Sequence, residues 1–404
     1  MNFIPHNYQK YCIERLITEP ALGLFLDMGL GKTVTTLTAI KELKYYRFAV
    51  RKVLVIAPKK VAEATWSNEA EKWDHLKGLR VSTVLGSKTK RISALAATAD
   101  VYVINRENVV WLVDYYRNDW PFDMVVVDES SSFKDQSTKR WKALKRVRPR
   151  IKRIVLLTGT PAPNDLIDLW AQVYLLDEGA RLGRTIGGFR ERYFNPDKRS
   201  ADRIFTYKPK NGAEEAVKDL IGDICVSMKA DDYLELPDCI TVNVPVVLDD
   251  KAQKAYKTLE RTMILDIGDE EITAPMAATL TGKLLQLAGG AIYNDNHIPR
   301  AIHNCKIEAF MELIDGLNGE SVLVFYGYQH ERDRIVEALS KTKLRVRVYK
   351  NSDDERDWNN HEIDVLLAHP ASTAYGLNLQ EGGHRIIWFV PKSYMPFAPY
   401  RQVQ

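Results

Sequence analysis

Three short runs of the chain carry residue types that can handle a nucleotide phosphate. In Leu22-Gly23-Leu24-Phe25-Leu26-Asp27-Met28-Gly29-Leu30-Gly31-Lys32-Thr33 an apolar, strand-like segment breaks into a Gly-rich turn ending in Gly-Lys-Thr. Gly29 and Gly31 let backbone N–H groups face phosphate oxygens, Lys32 can reach the β- and γ-phosphates, and the Thr33 hydroxyl can ligate Mg²⁺. A helical run from Val34 to Leu43 adds the positive end of its dipole. Leu26 stands where the strict pattern G-x-x-x-x-G-K-S/T has its first glycine, so the strand before the turn and the helix after it supply the context.

The second run, Met124-Val125-Val126-Val127-Asp128-Glu129, is a buried strand that delivers two carboxylates at its C-terminal end, where open parallel sheets bind ligands. Asp128 is placed to hold Mg²⁺, usually through water, and Glu129 to orient and activate an attacking water. The third, Leu156-Leu157-Thr158-Gly159-Thr160-Pro161, is another strand exit whose Thr158 and Thr160 can hydrogen-bond toward Asp128 and Glu129. Its alternative is a plain turn built on Gly and Pro.

Such residues need a scaffold of parallel strands covered by helices, and the chain is patterned for one. Val53 to Ala57, Val101 to Ile104, Met124 to Val127 and Ile154 to Leu157 are short apolar runs, each followed by a turn or a polar segment. The pattern resumes with Val322 to Tyr326, Val346 to Tyr349, Val365 to Ala368 and Ile386 to Val390, with helical His330 to Leu339 among them. Two α/β lobes follow. Between them the chain from Asp165 to Gly290 reads as helical insertions plus a hinge, with a helix from Asp249 to Leu265 and a polar loop from Asn195 to Asn211.

Composition narrows the class. A chain of 404 residues with 45% apolar content suits a globular protein of two or three domains. The formal charge of +4 is mild, so any nucleic-acid partner rests on where the charges sit. Cys12, Cys225, Cys239 and Cys305 are far apart, which excludes a zinc ribbon or a disulfide framework and fits a reducing, cytoplasmic setting. No apolar run approaches the roughly 20 residues of a membrane helix, and the first residues do not resemble a signal peptide. No membrane partner is expected.

In order and spacing, DMGLGKT, VVVDES and LLTGTP resemble motifs I, II and III of the superfamily 2 helicases, and specifically the Snf2-like DNA translocases of the compact kind found in bacteriophages and bacteria. Tyr8-Gln9 resembles the adenine-reading Q motif, and Ala57-Pro58-Lys59 with Trp66 and Trp73 resembles motif Ia. Leu236-Pro237 leading to Gln253 and Tyr256 resembles the family's link between lobes. Ser321 to Phe325 resembles motif IV, and Ala374 to Gln380, with Gly376 and Asn378, resembles motif V. The resemblance implies two RecA-like lobes, at 1–240 and 241–404, with an insertion from about 165 and the second sheet from about 300. It implies ATP and Mg²⁺ in the cleft between the lobes and movement along double-stranded DNA, with a strand-separating DNA or RNA helicase as the rival.

Two departures matter. Ser130-Ser131 replace the last two residues of the usual DEAH or DEGH, leaving their contacts open. The family's helix after motif V, with its Gln and arginine finger, has no counterpart in Ser393 to Gln404, where Pro396 and Pro399 oppose a helix. The terminus then reads as truncated, frameshifted or part of a longer protein, and Arg401 or Arg385 as the first substitutes to test. Weak DNA-stimulated hydrolysis, or an ATP-responsive DNA-binding protein with little turnover, is the expectation that follows.

Basic residues cluster from Lys134 to Arg153 and again from Arg181 to Arg203. Each cluster reads either as a solvated, ion-paired face or as a track for DNA phosphates. Trp66, Trp73 and Trp141 read as core residues or as stacking platforms.

Overall fold

The computed structural model describes residues 1–162, 165–197, 206–233, 240–267, 270–274, 276–373 and 379–390. Two compact units divide the chain, Met1–Pro237 and Asp238–Gln404. Both are α/β with parallel sheets flanked by helices, as the strand pattern implied.

In the first unit α1 (Asn7–Thr18) precedes β1 (Ala21–Leu26), and α2 (Lys32–Lys41) follows it. Next come β2 (Val53–Ala57), α3 (Trp66–Lys72), β3 (Val81–Val84), α4 (Lys88–Ala96), β4 (Val101–Asn105) and α5 (Val109–Tyr116). Then follow β5 (Met124–Asp128), α6 (Lys139–Val147), β6 (Arg153–Leu157), α7 (Leu169–Asp177), α8 (Ile186–Tyr193), β7 (Phe194–Pro196), β8 (Tyr207–Pro209), α9 (Ala213–Ile221) and β9 (Cys225–Met228). Seven parallel strands form one sheet in the order β3-β4-β2-β5-β6-β1-β9.

Alternation along each strand gives the sheet two cores. Val125 and Val127 of β5 join Ile56, Leu156 and the residues of α5 to α7 on one face. Met124 and Val126 join Leu24, Val55 and the residues of α1 and α2 on the other. Being covered on both sides, the central strands are continuous runs of Val, Ile and Leu.

Two elements depart from the sequence reading. The described ends of the expected loop at Asn195 to Asn211 pair as antiparallel β7 and β8. Beyond α9 the chain returns to the first sheet as β9, with Cys225 beside Gly23 of β1. Gly23 permits this approach, since a Cβ there would lie 3.0 Å from the Cys225 sulfur.

The second unit opens with α10 (Asp250–Thr262), capped by the Asp249 carboxylate on the Ala252 N–H. The expected helix to Leu265 stops earlier because Met263 turns left-handed (φ 60°), and Ile264–Ile267 (β10) pairs with Glu270–Thr273 (β11). After α11 (Ala277–Ala288) a second hairpin joins β12 (Ala291–Tyr293) to β13 (Pro299–Ala301). Then come α12 (Cys305–Gly316), β14 (Val322–Phe325), α13 (Gln329–Leu339), β15 (Val346–Val348), α14 (Ser352–Asn359), β16 (Val365–Ala368), α15 (Pro370–Thr373) and β17 (Arg385–Trp388). The strands form a parallel sheet in the order β15-β16-β14-β17. Among the described residues no helix is long and apolar enough to cross a membrane.

Candidate active site

The loop after β1 turns twice through the left-handed region, at Gly29 (φ 83°) and Gly31 (φ 71°), and α2 starts at Lys32. A side chain at Gly31 would also collide with Gln9, whose Nε2 lies 2.6 Å from where a Cβ would stand. Gln9 is buried, accepts the His6 N–H at 3.0 Å and donates to the Leu30 carbonyl at 3.4 Å, so α1 braces the loop from behind. Thr33 is half-buried in the first turn of α2.

Lys32 folds back on the end of its own strand. Its Nζ donates to the carbonyls of Leu26 at 2.7 Å and Asp27 at 3.1 Å. Burial holds the ammonium below the usual lysine range, against the attraction of Glu129, Asp128 and Asp27.

Asp128 ends β5 opposite Leu157 of β6. Its Oδ2 accepts the Trp66 indole N–H at 3.0 Å, and its Oδ1 accepts the Glu129 N–H at 3.0 Å. Glu129 then turns left-handed (φ 51°), a costly geometry for a side-chain-bearing residue, and so enters the site beside Asp128. Burial raises both carboxyls; for Glu129, burial and the neighbouring Asp128 carry it from 4.5 to about 7. The Thr158 hydroxyl at the exit of β6 donates to Glu129 Oε2 at 3.5 Å, and the Thr160 N–H donates to the Thr158 hydroxyl at 3.1 Å.

Lys32, Asp128, Glu129 and Thr158 therefore meet at the C-terminal ends of β1, β5 and β6, with Gln9, Gly29, Gly31 and Thr33 shaping the loop beside them. Thr160 joins through its backbone N–H on the Thr158 hydroxyl. Gly376, Asn378, Leu236-Pro237 and Arg401 lie outside the described residues. Arg385 is paired with Glu320 at 2.7 Å.

The Thr33 hydroxyl and the Asp128 carboxylate are hard oxygen donors that fit Mg²⁺, and the backbone N–H groups of the loop fit the nucleotide phosphate bound with it. Thr33 and Asp128 would hold the ion.

Of the tryptophans read as core or as stacking platforms two are core, and the contacts made by Trp66 and Ser130 were not legible in the sequence. Trp66 is fully buried with its indole on Asp128, so it is unavailable to stack on a base. Trp141 is also core, its indole N–H on the Ala171 carbonyl at 2.8 Å. Ser130, the third residue of the Asp-Glu-Ser-Ser run, donates to Gln172 of α7 at 2.8 Å.

Two arginines of the first basic cluster are spent on backbone carbonyls of the fold. The Arg148 guanidinium donates to the carbonyls of Leu175, Leu176 and Ile151, and Arg153 donates to those of Leu16, Ile17 and Glu19. Arg146 pairs with Asp114, Lys152 with Asp123, and Arg150 donates to Asn118. Among these five, Arg148 and Arg153 alone are turned inward, while Arg146, Arg150 and Lys152 stay exposed. In the second cluster Arg181 pairs with Asp177 and Asp223, while Lys198, Arg199 and Arg203 lie outside the described residues.

The family description "SNF2-related domain" matches residues 8–291. The p41 protein of Acyrthosiphon pisum secondary endosymbiont phage 1 is 37% identical over 394 residues, covering 96% of this chain and 85% of that protein. The DNA repair and recombination protein RDH54 of Saccharomyces cerevisiae is 25% identical over 418 residues, and the chain spans 45% of its length. Among solved structures, the Hef helicase domain of Pyrococcus furiosus aligns with a TM-score of 0.52 at 15% identity, covering 98% of this chain and 91% of that one. That likeness is one of fold.

Proposed function

The chain belongs to the SNF2-related family, and from that membership and the geometry of its phosphate site we propose that it is an ATP-driven translocase on double-stranded DNA. The observation that carries the reading is the convergence of Lys32, Asp128 and Glu129 at the C-terminal ends of β1 and β5, with β6 between them, each shifting the titration of another. ATP hydrolysis needs a cation for the phosphates, a metal ligand and a base for water, and these three residues match those needs in type and place.

In this reading Lys32 exchanges the Leu26 and Asp27 carbonyls for β- and γ-phosphate oxygens. Gly29, Gly31 and the first turn of α2 offer backbone N–H groups to the same oxygens. Mg²⁺, held through Thr33 and Asp128, would neutralise charge that develops on the phosphates. Glu129 orients the attacking water and accepts its proton, while Thr158 fixes the carboxylate from the side. Gln9 and Tyr8 read the adenine. Cycles of binding and hydrolysis step the protein along the duplex.

Duplex DNA as partner is supported by the family and by the repair and recombination role in the yeast relative's name; a place in the cytoplasm of an infected bacterium is supported by the phage relative. The test is ATP turnover with and without duplex DNA, paired with displacement of a third strand from a DNA triplex. Weak DNA-stimulated turnover with displacement is expected, because no arginine finger is assigned among the described residues. Turnover that releases single strands from a duplex would install the strand-separating helicase instead, and ATP binding without turnover would reduce the protein to a nucleotide-responsive DNA binder.

A further inference from the structure

We propose that Gln172, on α7, is a positioning residue that ties the Asp128-Glu129-Ser130 turn to the Thr158–Pro161 loop and so sets the gap in which Glu129 meets its water. The inference rests on the hydrolytic reading above.

Ser130 and Gln172 are both fully buried. The Ser130 hydroxyl donates to Gln172 Oε1 at 2.8 Å, while Gln172 Nε2 donates to the Pro161 carbonyl at 2.6 Å and to the Asp168 carbonyl at 3.0 Å. This fixes the amide's orientation, because a flipped Gln172 would press its oxygen against two carbonyls. One N–H donor and the acceptor of this side chain thus bridge the two loops, and the second donor ties it to the start of its own helix.

The bridged loops are the two that frame Glu129. On its N-terminal side Glu129 is anchored by β5 and by its own N–H on Asp128. Its C-terminal neighbour Ser130 is held through its side chain by Gln172. Thr158, which touches the Glu129 carboxylate, belongs to the loop whose end, Pro161, Gln172 also grips. A second tie runs in parallel: Lys134, just past the turn, pairs with Asp168 at the start of α7 at 3.1 Å. Helix α7 is buried along most of its length, so a polar residue there is costly unless its bonds are made. An apolar residue would serve packing alone. The glutamine therefore marks a need to hold Ser130 and Pro161 in register, and it supplies the contact left open by the departure at Ser130.

The test uses the full chain and three variants, Ser130→Ala, Gln172→Leu and the two combined. Steady-state ATP turnover with saturating duplex DNA is measured beside the affinity for a fluorescent ATP analogue and the melting temperature. Each single change is expected to lower kcat by about ten- to a hundredfold while leaving nucleotide affinity unchanged, as loss of alignment does. The double variant is expected to be no worse than the poorer single, because both changes cut the same tie. Ser130→Thr keeps a hydroxyl and is expected to restore turnover. Ser130→Ala leaves Gln172 bonded to Pro161 and Asp168, so the test stands even if Gln172→Leu fails to fold. Wild-type kcat in Ser130→Ala, or kcat, affinity and melting temperature falling together, would overturn the assignment in favour of a packing role. An unchanged chain that does not hydrolyse ATP on DNA would remove the functional reading and this inference with it, and is recognised before any variant is made.

Discussion

Trp66 and Asp128 are 62 positions apart in sequence, yet the indole N–H of one sits 3.0 Å from a carboxylate oxygen of the other in a buried contact. Because the Glu129 N–H takes the second oxygen, Asp128 has one donor on each oxygen and one further acceptor direction on each. The tryptophan thereby decides which way the carboxylate faces. Residues of this kind, bonded to a metal ligand from behind, commonly affect metal affinity by about ten- to a hundredfold. Trp66→Phe keeps an aromatic ring in the core and removes the donor. The Mg²⁺ concentration that gives half-maximal ATP turnover is expected to rise at least about tenfold, and an unchanged Mg²⁺ titration would show that Asp128 needs no such support.

In the proposed reaction Lys32 and Glu129 act on different stages. Lys32→Ala removes the cation that meets the phosphates and is expected to abolish ATP binding in a nucleotide titration. Glu129→Gln keeps the shape of the site and loses the base, so it is expected to bind ATP and to lose turnover. Equal turnover in wild type and Glu129→Gln would sink the assignment of Glu129.

The raised titration of Glu129 has a stability consequence of definite sign. The nucleotide-free fold holds the proton more tightly than the unfolded chain does, with a value near 7 against 4.5. The stabilisation from this group is therefore complete below 4.5 and is lost as pH rises through about 7. The whole effect is at most about 3.5 kcal/mol, since a tenfold difference in proton affinity between the folded and unfolded chain corresponds to about 1.4 kcal/mol. Glu129→Gln should melt near wild type at about pH 5 and above it at about pH 8. A wild-type advantage at the higher pH would reverse the sign and show that the folded chain prefers the carboxylate.

The sequence made the central strands legible because both faces of each are buried, which leaves unbroken runs such as Val53 to Ala57. Gly31, Lys32 and Thr33 were legible because their work is done by local backbone geometry. Strands β3, Val-Ser-Thr-Val, and β9, Cys-Val-Ser-Met, were not, being short sheet edges with mixed burial. The partners of Asp128 and Ser130 were hidden for another reason. Trp66 and Gln172 reach them only after the sheet has brought distant segments together, and nothing in the spacing of a tryptophan or a helical glutamine says so. The run of basic residues left two readings open, since charge alone does not reveal which guanidinium, such as that of Arg148 or Arg153, is turned inward.

That inward turn separates two roles within one helix and its exit. Arg148 donates to three backbone carbonyls, at the end of α7 and at Ile151, so its removal leaves acceptors unmade inside the fold. Arg148→Ala is expected to cost about 2 to 3 kcal/mol of stability, as the loss of charged hydrogen bonds does, and to leave the salt dependence of duplex binding as it was. Lys139 and Lys142 of the same α6 face solvent. If this surface tracks DNA, changing both lysines to alanine should leave melting unaltered and flatten the plot of log affinity against log salt by about 2, close to one unit per lost phosphate contact. Thermal melts and duplex titrations at several salt concentrations measure both effects. A flattened slope in Arg148→Ala at unchanged stability would put that guanidinium on the DNA, and an unchanged slope in the lysine pair would move the DNA track away from α6.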